Sequence, residues 1–231
     1  MKRTALLVVA LMGVVSAHAQ VDLYNDLSDT TYTQGNGDWD GGVNQLGSNA
    51  GLQCGQVFTS TINGSVTSVE GMYVGFTATP TYNGALVQIF NFSGGTVGSL
   101  VGQAQVSGNL AVPGADPVFT SYYRYDLTAN VNIAGLVSGN QYFATLQGQG
   151  PDWAYLLRNG DGNLTTFGRD YSSFGYAGGY GTTTWTEMAA LNLGYSSGDS
   201  LMRIAGTPVP EPASMAALGL GVAALIRRRR R

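Results

Sequence analysis

The chain has 231 residues, 34 of them glycine, and a formal net charge of −3, a size and composition that suit one folded domain between short signals rather than two domains. Seven of its eleven basic residues (Lys2, Arg3 and Arg227, Arg228, Arg229, Arg230, Arg231) sit at the two ends, so residues 20–208 carry four arginines against thirteen carboxylates, a net −9 without one lysine. Such a surface repels phosphate backbones, which argues against a nucleic-acid partner, and a mature chain whose only histidine, His18, leaves with a leader runs no Ser-His-Asp or Cys-His nucleophile and no histidine-ligated zinc site.

At the start, Met1, Lys2 and Arg3 precede an apolar run from Ala5 to Val15, and Ser16, Ala17, His18 and Ala19 supply small residues around a cleavage point. This is the pattern of a secretory signal peptide. Its run is about half of the ~20 residues that a membrane-crossing helix needs, so residues 1–19 are expected to be removed after Ala19, leaving Gln20 first. The cleaved chain enters a compartment that permits disulfides, yet Cys54 is its only cysteine and forms none internally, so stability rests on core burial.

Residues 22–51 form a polar, turn-rich lead-in. Beyond it, no window of a dozen residues holds a 3.6-residue period, which predicts little helix. Met72, Val74 and Phe76 alternate with Tyr73, Gly75 and Thr77, while Ala85 to Phe92 is apolar at nearly every position and reads as a strand covered on both faces. Leu127, Ala129, Val131 and Ile133 alternate with Thr128, Asn130 and Asn132, the mark of a strand with one wet face. After Ser138, Gly139 and Asn140, the run Tyr142, Ala144, Leu146 alternates with Gln141, Thr145, Gln147, so the two segments read as a strand, a tight connection and a returning strand. About ten such runs and no helices predict an all-β fold, two packed antiparallel sheets with a jelly-roll order preferred, over residues 20–207.

Aromatic residues gather late: Trp153 and Tyr155, then Tyr171, Phe174, Tyr176, Tyr180 and Trp185. Flat rings on loops suit sugar faces, which makes Trp153, Tyr155, Tyr176, Tyr180 and Trp185 candidate carbohydrate-binding residues, set against the plainer role of filling a sandwich core. Asn159, Asp161 and Asn163 alternate with glycines, so their oxygens are candidates for Ca²⁺, although Leu164 and Asp170 stand where an EF-hand loop has Gly and Glu and the run is equally an ordinary turn. Glu70 and Glu187 are the only glutamates of this region, and no paired-carboxylate strand motif of a jelly-roll glycosidase is present, so no catalytic residue is expected and no cofactor beyond that calcium.

At the other end, Val209, Pro210, Glu211 and Pro212 break any regular structure. An apolar stretch from Ala213 to Ile226 follows, closed by Arg227 to Arg231. As a helix, fourteen residues reach ~21 Å at 1.5 Å each, a short transmembrane segment whose arginines stay on the cytoplasmic side. The order Pro210-Glu211-Pro212, short apolar helix, terminal basic cluster resembles the PEP-CTERM sorting signal of Gram-negative bacteria, which is read by membrane proteases of the exosortase type. The resemblance covers residues 208–231. It implies an exported protein that passes the inner membrane and periplasm, is processed near the motif and reaches the outer surface or extracellular matrix, often alongside an extracellular polysaccharide. One tail serves many unrelated ectodomains. Three segments, Gln56 to Thr59, Leu136 to Tyr142 and Leu201 to Gly206, are also similar to sandwich ectodomains that precede such tails. The expected function is therefore a noncatalytic surface or matrix protein, with a carbohydrate-binding module as the alternative and a hydrolase using two aspartates behind it.

Overall fold

The computed structural model describes residues 19–27, 39–40, 52–75, 84–108, 111–115, 123–149, 154–157, 166–170, 186–187, 200–209, 219, 221 and 225–228. Among them the strands are β1 (Val21–Asn25), β2 (Trp39–Asp40), β3 (Leu52–Thr59), β4 (Gly64–Gly75), β5 (Gly84–Ser93), β6 (Thr96–Ser107), β7 (Ala111–Ala115), β8 (Tyr123–Leu136), β9 (Gln141–Gln149), β10 (Ala154–Leu157), β11 (Thr166–Asp170), β12 (Thr186–Glu187) and β13 (Met202–Pro208). Every pairing between them is antiparallel. The mostly antiparallel β fold expected from the alternation is thus present.

One sheet runs β1-β13-β4-β10-β2, with β8 pairing β4 along its whole length and β7 pairing β8. The other runs β12-β11-β3-β9-β5-β6. Each has a four-strand heart, β1-β13-β4-β8 and β3-β9-β5-β6. Their inward faces share one apolar cluster: Val66, Val69, Tyr73, Leu127, Ala129, Ile133, Met202 and Ile204 from the first, Phe58, Ala85, Val87, Ile89, Tyr142, Ala144 and Leu146 from the second. Fully burying such a side chain contributes about 1.5–3 kcal/mol, so a core of this kind stabilises the domain without a disulfide.

β8 behaves as its sequence predicts. Leu127, Ala129 and Ile133 are buried, whereas Asn130 and Asn132 face solvent. β9 differs, because residues 142–148 are buried at every position and the strand lies in the middle of its sheet between β3 and β5. The strand–turn–strand reading of these two segments therefore needs correction. They belong to different sheets, and the turn at Ser138–Gly139 carries the chain across the sandwich. Gly135 (φ 109°) and Gly139 (φ 86°) supply left-handed backbone on either side of that crossing. A true hairpin joins β5 to β6, where Gly94 and Gly95 both take positive φ, as the twist of paired strands requires.

Two smaller differences have the same origin in tertiary context. The side chain that enters the core from the Met72 segment is Tyr73, whose hydroxyl donates to the Leu146 carbonyl at 2.6 Å across the two sheets, while Met72 is buried outside that shared cluster. β5 is covered on its inner face, but Asn91 is exposed and Leu86, Gln88 and Phe92 are half-buried.

Candidate functional site

β13 is the strand that delivers the C-terminal segment. It is held on both edges, by β1 with Val21 opposite Gly206 and by β4 with Pro208 opposite Gly64. Its apolar residues Met202, Ile204 and Ala205 are buried, and Arg203 turns outward. Arg203 Nε bonds Asp22 Oδ1 at 2.8 Å and Nη1 bonds Glu70 Oε1 at 2.9 Å, so one guanidinium ties all three strands. The hydrogen bond that Arg203 donates to Asp22, together with the nearby Glu70 carboxylate, raises the Arg203 pKa above the ordinary arginine range. Glu70 is thereby engaged in an ion pair on the first sheet, and Glu187 lies on β12 of the second, opposite Phe167. The two glutamates thus stand on different sheets.

The strand does not end in slack chain. Thr207 and Pro208 are still in the ladder, and the Val209 N–H donates to the Asn63 carbonyl at 2.8 Å. Asn63 is fixed in turn, its Oδ1 accepting the Ser138 N–H at 3.0 Å. Ser60 completes the link, with its N–H bonded to the Asn140 carbonyl at 2.9 Å and its own carbonyl accepting the Gly139 N–H at 2.8 Å. Behind the turn, Tyr142 Oη accepts the Val137 N–H at 2.8 Å and donates to the Gly135 carbonyl at 3.3 Å. Turns 60–63 and 137–140 thus form one hydrogen-bonded knot on which Val209 rests.

The three segments singled out in the sequence touch one another, the first and last at the start of β13 and the first and middle beside the 137–140 turn. Gln56 is fully buried, and its Oε1 accepts the N–H of Ser200, just ahead of Leu201, at 2.8 Å. Phe58 packs its ring 5.7 Å from that of Tyr142, and Thr59 pairs with Gln141. Asn63 and Ser60 carried no functional signal in the sequence beyond the Asn-Gly-Ser glycosylation pattern of residues 63–65. Their role depends on partners 75 and 80 positions away, which local patterning does not register.

At the amino end, Ala19 and Gln20 are exposed, and Gln20 Nε2 donates to Thr67 Oγ1 at 3.3 Å just before β1 begins. Of the remaining candidates, Tyr155 lies in β10 opposite Val74 and Cys54 in β3 opposite Gly168. Trp153, Tyr176, Tyr180, Trp185, Asn159, Asp161, Asn163, Pro210, Glu211, Pro212 and Arg229, Arg230 and Arg231 lie outside the described residues. Arg227 and Arg228 are helical, as are Leu225 and Ile226, and among the described residues no helix is long and apolar enough to cross a membrane.

Fold and junction together define an antiparallel two-sheet domain that passes from its last strand straight into a C-terminal segment, with no spacer between. That segment, residues 208–231, matches the PEP-CTERM protein-sorting motif, so the chain carries the sorting signal of an exosortase-processed surface protein. No curated protein matches the chain.

Proposed function

We propose that this protein is a noncatalytic component of the cell surface or extracellular matrix. Residues 1–19 direct export and are removed after Ala19, the two-sheet domain is the part that persists, and an exosortase-type protease processes the chain at or near Val209, Pro210, Glu211 and Pro212. Until then the apolar residues 213–226 hold the tail in the inner membrane, with the arginine cluster on the cytoplasmic side. The eight-strand heart reads as a jelly-roll, a scaffold that presents loops and one open sheet face.

The observation that carries the reading is the sorting motif at residues 208–231. An extracellular polysaccharide is the partner this reading assigns. Its support is chemical: β5 and β6 contain no charged residue although residues 20–208 carry −9, and they expose amides such as Asn91 and Gln103. A neutral, amide-bearing surface suits hydroxyl-rich polymers. Intact-mass measurement on the surface fraction tests the assignment. The expected species begins at Gln20 and ends close to Val209, and replacing Pro210, Glu211 and Pro212 together with alanine retains unprocessed chain in the inner membrane. Full-length chain in the cytosol with both ends intact would overturn it.

A further inference from the structure

Both ends of the folded domain leave from one pole. β1 and β13 are antiparallel neighbours with Val21 opposite Gly206, so the start of the first strand lies beside the end of the last. The same pole holds the 60–63 turn, the 137–140 turn and the Gly94–Gly95 turn, because Gly64 pairs with both Pro208 and Leu136, and Gln141 with both Thr59 and Phe92.

Three properties set this pole apart. First, its reach to the tail is short: the apolar stretch starts at Ala213, four residues beyond Val209, and four residues span at most ~14 Å fully extended. Second, its described side chains carry no charge. Gln20, Thr61, Asn63, Val137, Ser138, Asn140, Gln141 and Val209 are all neutral. The carboxylate nearest to it among the described residues, Asp22, directly follows Val21, lies opposite Ala205 and is paired with Arg203. Third, it gathers exposed apolar side chains: of the six exposed large hydrophobic residues described, Val21, Val137 (49%) and Val209 (59%) are here, with Leu100, Tyr123 and Leu225 elsewhere.

Resting on the reading that the tail inserts, we propose that this pole is a lipid-facing surface, seated on the membrane headgroups while the sorting segment is embedded. The short reach leaves the pole nowhere else to go. Anionic headgroups repel carboxylates within a Debye length of ~8 Å at physiological salt, and a domain of −9 escapes that repulsion only where it presents a neutral end. The hydrogen bonds between the two turns brace this end. β4, with twelve residues at ~3.3 Å each, carries the opposite pole some 40 Å away from the lipid.

The test uses the signal-cleaved chain, residues 20–231, in vesicles of phosphatidylcholine and phosphatidylglycerol containing headgroup-region nitroxide lipid, with one fluorophore at Thr61→Cys, Ser138→Cys or Ser107→Cys in a Cys54→Ala background. Ser107 is exposed and lies at the far end of the strands, opposite Gly84. Labels at 61 and 138 are expected to be quenched several-fold more than the label at 107. Equal quenching at all three positions overturns the proposal, as does protection of position 138 that requires added protease or a second copy rather than lipid alone. A chain that fails to float with the vesicles sinks the anchoring reading instead. Should the Cys54 change prevent folding, Val137→Asp with Ser138→Asp in the natural background gives an independent measure: weaker vesicle association as the anionic fraction rises supports the proposal, and unchanged association refutes it.

Discussion

Gly64 is the position where one added carbon does most at the junction. It opens β4, pairs with Pro208 on one edge and Leu136 on the other, and is buried. A Cβ there would run into the Thr207 carbonyl oxygen and come within 3.0 Å of Pro208 Cα. These are backbone atoms, so no rotamer change relieves the contact and the end of β13 has to move off β4. Overpacking of this kind costs about 2 kcal/mol. Losing the Val209 to Asn63 bond that depends on the same alignment adds about 1 kcal/mol, and the reduced freedom of the unfolded chain offsets about 0.5 kcal/mol. Gly64→Ala is therefore expected to lose about 2.5 kcal/mol, which for a domain of this size lowers Tm by about 5–10 °C. Thermal unfolding followed by circular dichroism measures it, with the exposed Thr61→Ala as a reference expected within about 0.5 kcal/mol of the natural protein. A Gly64→Ala protein that melts with the reference, and whose Val209 amide keeps its protection from hydrogen exchange, would refute the view that β13 is clamped up to the sorting motif.

Tyr73→Phe removes the hydroxyl that reaches Leu146 across the core and is expected to lower stability by about 1 kcal/mol, read as a reduced denaturant midpoint at unchanged slope. Gln56→Ala deprives the buried Ser200 N–H of its acceptor and should cost about 1–3 kcal/mol, with faster exchange of the Ser200 amide as the specific sign. Arg203→Met breaks both ion pairs of a guanidinium that is 32% exposed, so it should cost no more than about 1 kcal/mol, and the deficit should shrink in high salt. If the aromatic segment serves a glycan, saturable binding in a panel of polysaccharides falls away on Trp153→Ala or Trp185→Ala, and binding that survives both assigns those rings to packing.

The half-wet β8 was legible because its two faces meet different surroundings, core on one side and water on the other, and alternation encodes that contrast directly. β9 was legible as a strand, but its place was not. Ser138-Gly139-Asn140 carries the same turn chemistry whether the chain folds back within a sheet or crosses to the facing one, and only the competing partners β4, β3 and β5 decide. The inward orientation of Tyr73 rather than Met72 follows from a carbonyl on another sheet, 73 positions away. β2 and β12 are two residues long and have no period to read. The sorting segment stood out in the sequence because it is a linear signal whose proline break, apolar run and arginine cluster need no tertiary partner. The platform beneath it did not, because Ser60, Asn63 and Tyr142 gain their roles only when distant turns meet.

The location of β13 between β1 and β4 also dictates a schedule for assembly. Secretion feeds the chain amino end first, yet the neighbour that the first strand has among the described residues is the last strand, some 180 residues later. Closure with such widely separated partners is slow, and it falls due just as the greasy tail emerges behind Val209. On the proposed insertion of the tail in the bilayer, the unfinished molecule is kept from diffusing off before its seam is sewn.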